Sequence, residues 1–263
     1  MSWILVKTAP EISLKSKFVR RQFFDKLCAN VEKALQANSI RHSPFQRRPG
    51  RIFFQTVQEK RALSALAFVF GIHSVALAEK VLFLDFNDLS FQAAELSAFE
   101  LKNAKSFAVR VSRSGAHSFS SQEAAAQVGK EIQQQMPKLK VDLDAPQKEV
   151  FVEIDGANAF VYFSEKKGLN GLPVGVSGVV GISLSGKKEE TGAAKAMLKR
   201  GCSLVVRGGT PKQLKELEKW NSFQPLAWKG KVEAEVVSFK DVKKALKALR
   251  DKKQFKLAPL VLQ

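Results

Sequence analysis

FAVRVSRSGAHSFSSQEAAAQVG, residues 107–129, reads as a strand, a polar turn and the start of a helix. Its first five residues are apolar and partly β-branched, with Arg110 emerging near their end, and suit a strand. A glycine-containing turn carrying Arg113, His117, Ser120 and Ser121 follows, and Ser-Ser-Gln-Glu signals a helix start. That order sets two guanidiniums, an imidazole, two hydroxyls and unpaired backbone N–H groups along one edge. Such an edge suits phosphate oxygens, because a helix N-terminus carries unpaired donors and a partial positive charge. The same residues also make an ordinary capped βα connection with solvated arginines, and taken alone that is the better reading.

Upstream, the first eighty residues predict a βαββαβ order. A strand over 3–7 is closed by Pro10, and an amphipathic helix covers 16–36. Strands over 40–45 and 51–57, a helix over 59–69 and a strand over 74–81 complete the unit. Val19, Phe23, Leu27, Val31 and Leu35 recur every four residues, with Phe24 and Cys28 beside them, as one buried helix face requires. Lys15, Lys17, Arg20 and Arg21 cluster at the start of that helix. Cations there oppose the helix dipole at a cost of about 0.3 kcal/mol or more each. The cost favours an anionic partner; four solvated cations on an exposed turn are the equal alternative. QRRPGR, residues 46–51, is a basic turn between two strands and ranks second as a phosphate contact. ALSALAFVFGIHSVALA, residues 62–78, carries no formal charge but is shorter than the ~20 residues of a membrane span. Phe70, Gly71, Ile72 and His73 break it into a helix and a strand.

Downstream, residues 82–167 predict a helix over 89–99, the strand and helix quoted above, and strands over 149–154 and 159–164. The two strands flank a hairpin turn at 155–158. The 107–129 stretch resembles the THUMP domain, an RNA-binding module of tRNA-modifying enzymes, at Phe107, Val109, Arg110, Arg113, His117, Ser121 and Gly129. EISLKSKFVRRQF, residues 11–23, is similar to the opening of the tRNA 4-thiouridine synthases, the ThiI family. Phe70, Gly71 and Ile72, and GLNGLPVG at 168–175, recur there in the same order. Four ordered blocks make a specific signal where one would be weak. The resemblance implies a ferredoxin-like domain over 1–81, a THUMP domain over 82–167, a linker over 168–178 and a small Rossmann-like PP-loop domain over 179–263, an α+β and α/β fold. It also implies that the first two domains grip the acceptor end of tRNA, through Lys15, Lys17, Arg20, Arg21, Arg110, Arg113, His117, Ser120, Ser121 and Lys167. Such recognition relies on backbone shape and the single-stranded end more than on base sequence.

Charge agrees with an anionic partner. The 263 residues hold 43 Lys and Arg against 25 Asp and Glu, a formal charge of +18. The excess is +9 over residues 1–80, −2 over 81–170 and +11 over 171–263, so two basic ends flank a near-neutral middle. Cys28 and Cys202 stand in apolar contexts and can build neither a disulfide framework nor a zinc knuckle. The opening residues lack a signal-peptide pattern, which predicts a cytoplasmic protein without a membrane partner.

The last ninety residues decide between readings. In the ThiI family a strand leads to a Ser-Gly-Gly-x-Asp-Ser loop and a helix, and that loop binds ATP to adenylate the uridine. Here the matching strand is 179–184, the loop is Ser185, Gly186, Lys187, Lys188, Glu189 and Glu190, and the helix is 191–200. Lys187 stands where the second glycine admits close backbone approach, and Glu190 replaces a phosphate-donating serine with a like charge. Glu189 keeps the acidic character of the family's aspartate. A strand at 202–206, helices from 211 and 240 and strands at 233–239 and 257–262 follow, with no candidate for the family's catalytic cysteine. No cofactor is therefore expected, and ATP with magnesium only if the altered loop still takes nucleotide. The leading expectation is a tRNA-binding protein with a degenerate, shortened nucleotide domain that presents its RNA. The second is an active sulfurtransferase using a separately encoded catalytic or sulfur-carrier partner. The third is a THUMP scaffold for other RNA or for protein. The family's dimers, with tRNA across both protomers, extend a homodimer to this chain as a further partner expectation. Methyltransferase and zinc-deaminase motifs, which accompany THUMP domains elsewhere, are missing from the sequence.

Overall fold

The computed structural model describes residues 2–220, and the backbone alone of residues 226–227 and 234–236. In chain order the elements are β1 (Ser2–Thr8), α1 (Pro10–Ser13), α2 (Lys17–Ala37), β2 (Gln46–Arg48), β3 (Arg51–Thr56), α3 (Glu59–Leu66) and β4 (Ile72–Leu82). Then come α4 (Phe86–Leu101), β5 (Ser106–Ser114), α5 (Ser121–Gln135), β6 (Lys140–Val141), β7 (Lys148–Asp155), β8 (Asn158–Tyr162) and β9 (Lys166–Lys167). The last are β10 (Val179–Leu184), α6 (Lys188–Lys199), β11 (Ser203–Gly208), α7 (Pro211–Glu218), β12 (Leu226–Ala227) and β13 (Ala234–Val236). The chain divides into two compact units, one of residues 2–5 and 76–165, the other of residues 6–75 and 166 onward. It passes between them inside β1, inside β4 and between Glu165 and Lys166.

The first unit lays its strands in the order β4-β8-β7-β5-β6. β5 runs parallel to β6 and β7, while β8 is antiparallel to β7 and β4. Leu89 and Ala93 of α4 and Val128 and Ile132 of α5 share one core with Val109, Val150 and Val152. Each fully buried Val, Leu or Ile stabilises such a core by about 1.5–3 kcal/mol. Asp85 caps α4 through the amides of Asn87 and Asp88, both at 2.9 Å. β5 is longer than the sequence predicts. Its register with β7 is unbroken from Phe107 opposite Lys148 to Ser114 opposite Asp155, and that ladder holds Arg113 on the strand rather than in the turn.

The second unit begins as a ferredoxin-like fold, with β2, β3, β1 and β4 side by side in that order and α2 and α3 as its helices. A helical turn, α1, lies where the sequence predicts only the end of a strand, because Pro10 sits comfortably at a first helical position. Residues 40–45, predicted as a strand, form none. Pro44 lacks a donor, one backbone bond remains from the Ser43 amide to the Gln55 carbonyl at 3.0 Å, and side chains supply others: Thr56 Oγ1 donates to the Arg41 carbonyl at 2.7 Å, and Ser43 Oγ accepts from the Gln55 amide at 2.9 Å. The strand is instead β2, so Arg47 and Arg48 lie on it and only Pro49 and Gly50 make the turn.

Within the same unit, β12, β11, β10 and β13 form a parallel sheet in that order. Counted along the chain this is third, second, first, fourth, the doubly wound arrangement in which the connections diverge beside the first strand. Helix α6 starts at Lys188, three residues earlier than the sequence predicts. The helix predicted from 240 and the strand at 257–262 lie outside the described residues, as does most of the strand at 233–239.

The glycine-rich segment 168–178 joins the two parts of this unit by hydrogen bonds on both sides. Gly168 and Asn170 donate to the carbonyls of His73 and Ile72 at 2.7 and 2.9 Å, and Asn30 Nδ2 donates to the Val174 carbonyl at 3.1 Å. Leu172 donates to Lys199 at 2.9 Å, and Gly175, Val176 and Ser177 all donate to the Gly201 carbonyl. Gly171 has φ +79°, and a Cβ there would stand 2.3 Å from the Lys199 carbonyl oxygen. No other residue fits without moving backbone. Phe70 enters the core of the parallel sheet with Met197 and Trp220.

Candidate nucleic-acid interface

Two stretches ranked separately in the sequence meet in the ferredoxin-like part of the second unit. The N-terminal turn of α2 and the β2–β3 hairpin face one another across a cleft of about 610 Å³. Lys17, Arg20, Arg21, Arg47, Arg48 and Arg51 line it. Gly50, at φ +74°, makes the tight turn that sets Arg48 and Arg51 on adjoining strand ends, and its carbonyl accepts from the Thr8 amide at 3.1 Å. Arg47 Nη1 lies 3.5 Å from Asp25, with both side chains more than half exposed. Helix α2 has no acidic residue in its first turn and no side-chain cap from Ser16. Its partial positive charge therefore adds to the cations. Phe18, next to Lys17 in the chain, is 72% exposed and Leu14 83%, so the same segment carries apolar surface that water solvates poorly. Lys15 is half-buried and is not among the residues lining the cleft. Lys167 is exposed on β9, opposite Ser74.

The edge singled out by the opening sequence stretch is more occupied than its composition suggests. Arg110 Nε donates to Glu149 at 2.9 Å, and its Nη2 donates to the Leu143 carbonyl at 2.7 Å. Ser120 caps α5, accepting from the Glu123 amide at 3.1 Å while its own amide donates to Glu123 at 2.6 Å. That reciprocal pair, with the Ser120 bonds as the main cause, holds the Glu123 carboxyl below its usual range. His117 lies 3.0 Å from the Ser114 carbonyl through Nε2 and tilts against Phe119, which stacks on Phe86 at 4.4 Å. Arg113 stays exposed at the end of β5, and Ser121 is the first residue of α5. A second cleft of about 610 Å³ opens beside α5, where Lys130, Gln133, Val141 and Leu143 join Arg110. Sequence reading passed over these four, since their only signal is exposure on a helix face, in a short edge strand and in the bend after it.

The altered loop lies at the C-terminal end of β10, where the connections diverge. Gly186 has φ +105°. Glu190 does not point outward at a phosphate, as its charge suggested, but turns in and is 3% exposed. Its Oε2 accepts from the amides of Ser185 and Lys187 at 2.7 and 3.2 Å and from Gln213 Nε2 at 3.0 Å. Its Oε1 accepts from the Ser185 hydroxyl at 2.5 Å. Burial alone would raise this carboxyl's pKa, but the bonds from Ser185, Gln213 and Lys187 outweigh it and hold it at about 2. Both cysteines are buried. Burial pushes the Cys28 thiol up to about 11, against a smaller opposing effect of Arg47, which leaves it inert as a nucleophile.

Residues 3–76 match the ThiI ferredoxin-like domain and residues 84–164 the THUMP domain. The chain is 35% identical to a probable tRNA sulfurtransferase of Methanosarcina acetivorans over 201 residues, covering 74% of this chain and 48% of that protein. It is 36% identical to a tRNA sulfurtransferase of Desulfurococcus amylolyticus over 202 residues, covering 76% and 41%. It thus spans about half the length of the curated relatives it matches. A crystal structure of a Pyrococcus horikoshii protein superposes with a TM-score of 0.70 at 26% identity, covering 96% of this chain and 83% of that one. A 4-thiouridine synthetase solved with RNA and ATP has the same fold, at a TM-score of 0.64 and 23% identity over 86% and 60% of the two chains. Among the described residues no helix is long and apolar enough to cross a membrane. With the ferredoxin-like and THUMP domains in the same order and relatives of this kind, the chain belongs to the ThiI family.

Proposed function

We propose that this chain binds the acceptor region of tRNA and presents it in the cytoplasm without itself adenylating it. The observation that carries the reading is the cleft at the start of α2, where six cations converge on a helix N-terminus that lacks an acid of its own. A phosphate diester fits such a place by charge and by donor geometry. Membership of a family whose relatives are named tRNA sulfurtransferases makes tRNA the natural source of that phosphate. The exposed Phe18 adds a face on which an unpaired base can stack, in keeping with the single-stranded end of tRNA. The loop chemistry supports the second half of the reading. Lys187 fills a place that close phosphate approach needs empty, and Glu190 brings negative charge into it.

Binding of tRNA at several salt concentrations, without nucleotide, tests the proposal. A steep fall in affinity with salt that is blunted by Arg21→Ala or Arg48→Ala is expected. Salt-independent or undetectable binding overturns it. The relatives' names favour a second reading, an active tRNA sulfurtransferase whose ATP site or sulfur relay comes from another chain. Pyrophosphate release from ATP by this chain with tRNA present separates the two: none is expected on the first reading.

A further inference from the structure

The hydrogen-bond set around Glu190 is unusual for a side chain on the first turn of a helix. Two backbone amides, a hydroxyl and a carboxamide converge on one buried carboxylate. The amides of Ser185 and Lys187 come from the turn that follows the first strand of a doubly wound sheet, the place where such folds hold phosphate against a helix N-terminus. The carboxamide is aimed by its own helix. Gln213 Oε1 accepts from the Thr210 amide at 3.1 Å, which fixes the side chain so that Nε2 faces Glu190 and the Lys187 carbonyl. Two helix N-termini, of α6 and α7, therefore direct donors at the same pair of oxygens. These are the donors a bound phosphate would take, and they are satisfied without one.

We propose that the turn at 185–187 is an oxyanion nest whose standing ligand is this chain's own Glu190 carboxylate, and that inorganic phosphate or pyrophosphate enters only when that carboxylate is removed. The inference rests on the reading that this part of the chain does not adenylate RNA, and it supplies the physical reason. An incoming phosphate must displace an anion already held by four donors and then share a buried space with it. Lys187 and Lys188, exposed at the mouth, do not change that order of events, because their charge attracts an anion without vacating the nest. The domain thereby keeps the local geometry of an occupied nucleotide loop at all times.

Thermal unfolding of the full chain with and without millimolar pyrophosphate tests this. The wild type should shift only by what pyrophosphate gains at the α2 cleft, a shift the variant shares. Glu190→Ser, which removes the carboxylate and leaves the nest open, should melt lower in chloride and rise by ~3 °C or more beyond the wild type's shift in pyrophosphate at equal ionic strength. A wild type that shifts as much as the variant, or a folded Glu190→Ser protein that does not respond, overturns the proposal. Should Glu190→Ser fail to fold, Glu190→Gln decides the matter, since it keeps the shape and removes the charge. A Gln variant that melts like the wild type at neutral pH and shows the same acid unfolding would mean that no anion is held there. tRNA affinity, measured on the same preparations, should be unchanged by either substitution. If the wild type itself fails to bind tRNA, the functional reading falls and the nest is still judged by the melting shifts.

Discussion

Two helices in the second unit begin with opposite solutions to one electrostatic problem. Helix α2 opens on Lys17, Arg20 and Arg21, with no acid in its first turn and no side-chain cap, and the β2–β3 hairpin adds three more cations. Helix α6 opens on Lys188 but follows it with Glu189 and Glu190, and draws the second of these into its own N-terminus. The first has no acid in its own first turn to meet the helix's partial positive charge; the second meets that charge with its own Glu190. On the two proposals, an anion from outside is attracted to α2 and excluded from α6. A basic composition alone does not distinguish these places, since Lys187 and Lys188 are as positive as anything on α2. Whether the local donors are already occupied does.

Charge reversal gives the largest expected effect. Arg20→Glu with Arg21→Glu should lower tRNA affinity by ~100-fold or more, since each lost charged contact is worth about 1.5–3 kcal/mol and repulsion adds to that. Lys188→Glu at the mouth of the nest should change it by less than about twofold, as for an exposed charge away from the bound RNA. Electrophoretic mobility shifts at fixed salt measure both, and equal losses would erase the contrast between the helices. Next in size is Phe18→Ala, expected to weaken binding by roughly tenfold, in line with about 1–3 kcal/mol for a base stacked on an aromatic ring. The loss should vanish when the tRNA lacks its single-stranded end.

The order of elements was legible in the sequence wherever periodicity was long. The four-residue spacing of Phe23, Leu27, Val31 and Leu35 placed α2, and all four are buried. Strand ends were less legible because tertiary pairing sets them. Pairing with β7 carried β5 through Arg113, and side-chain bonds from Thr56 and Ser43 replaced a ladder at 40–45. Lys17, Arg20 and Arg21 were visible as a cluster, as were Arg47 and Arg48. Their convergence was not, since 25 residues of chain lie between Arg21 and Arg47 and only the fold closes that gap. Glu190 was recognised as an intruder in a phosphate loop, but its inward rotamer was invisible. That rotamer depends on Gln213, which no local pattern links to it.

Acid sharpens the contrast without mutation. The Glu190 carboxyl is held at about 2 in the folded chain, well below an ordinary glutamate. A carboxyl depressed on folding stabilises the folded state fully above its unfolded pKa of about 4.3, and that contribution is lost as pH falls toward the folded value. Circular dichroism and urea titrations at stepped pH should therefore show stability declining below about pH 4.5, with part of the decline missing in Glu190→Gln. The α2 cleft contains no Glu190 counterpart, so tRNA binding there should persist until the fold itself gives way. A wild type and Gln variant with superimposable pH profiles would remove Glu190 from the account of how α6 is stabilised.

The smallest expected effect compares two arginines on one strand. Arg110 is already committed to Glu149 and the Leu143 carbonyl, whereas Arg113 is exposed three residues further along β5. If occupancy of donors governs anion binding in the first unit as proposed for the second, Arg113→Ala should reduce the slope of log affinity against log salt by ~0.7–0.9, the mark of one lost phosphate contact. Arg110→Ala should leave that slope unchanged and cost roughly 0.2–1 kcal/mol of stability, as half-exposed ion pairs do. The reverse outcome has a definite meaning. A slope that falls with Arg110→Ala shows that the guanidinium leaves Glu149 for phosphate when RNA arrives, so an internal carboxylate can be exchanged for a bound one on this strand. Glu149→Gln would then raise tRNA affinity by freeing Arg110 in advance, an increase that the committed geometry rules out.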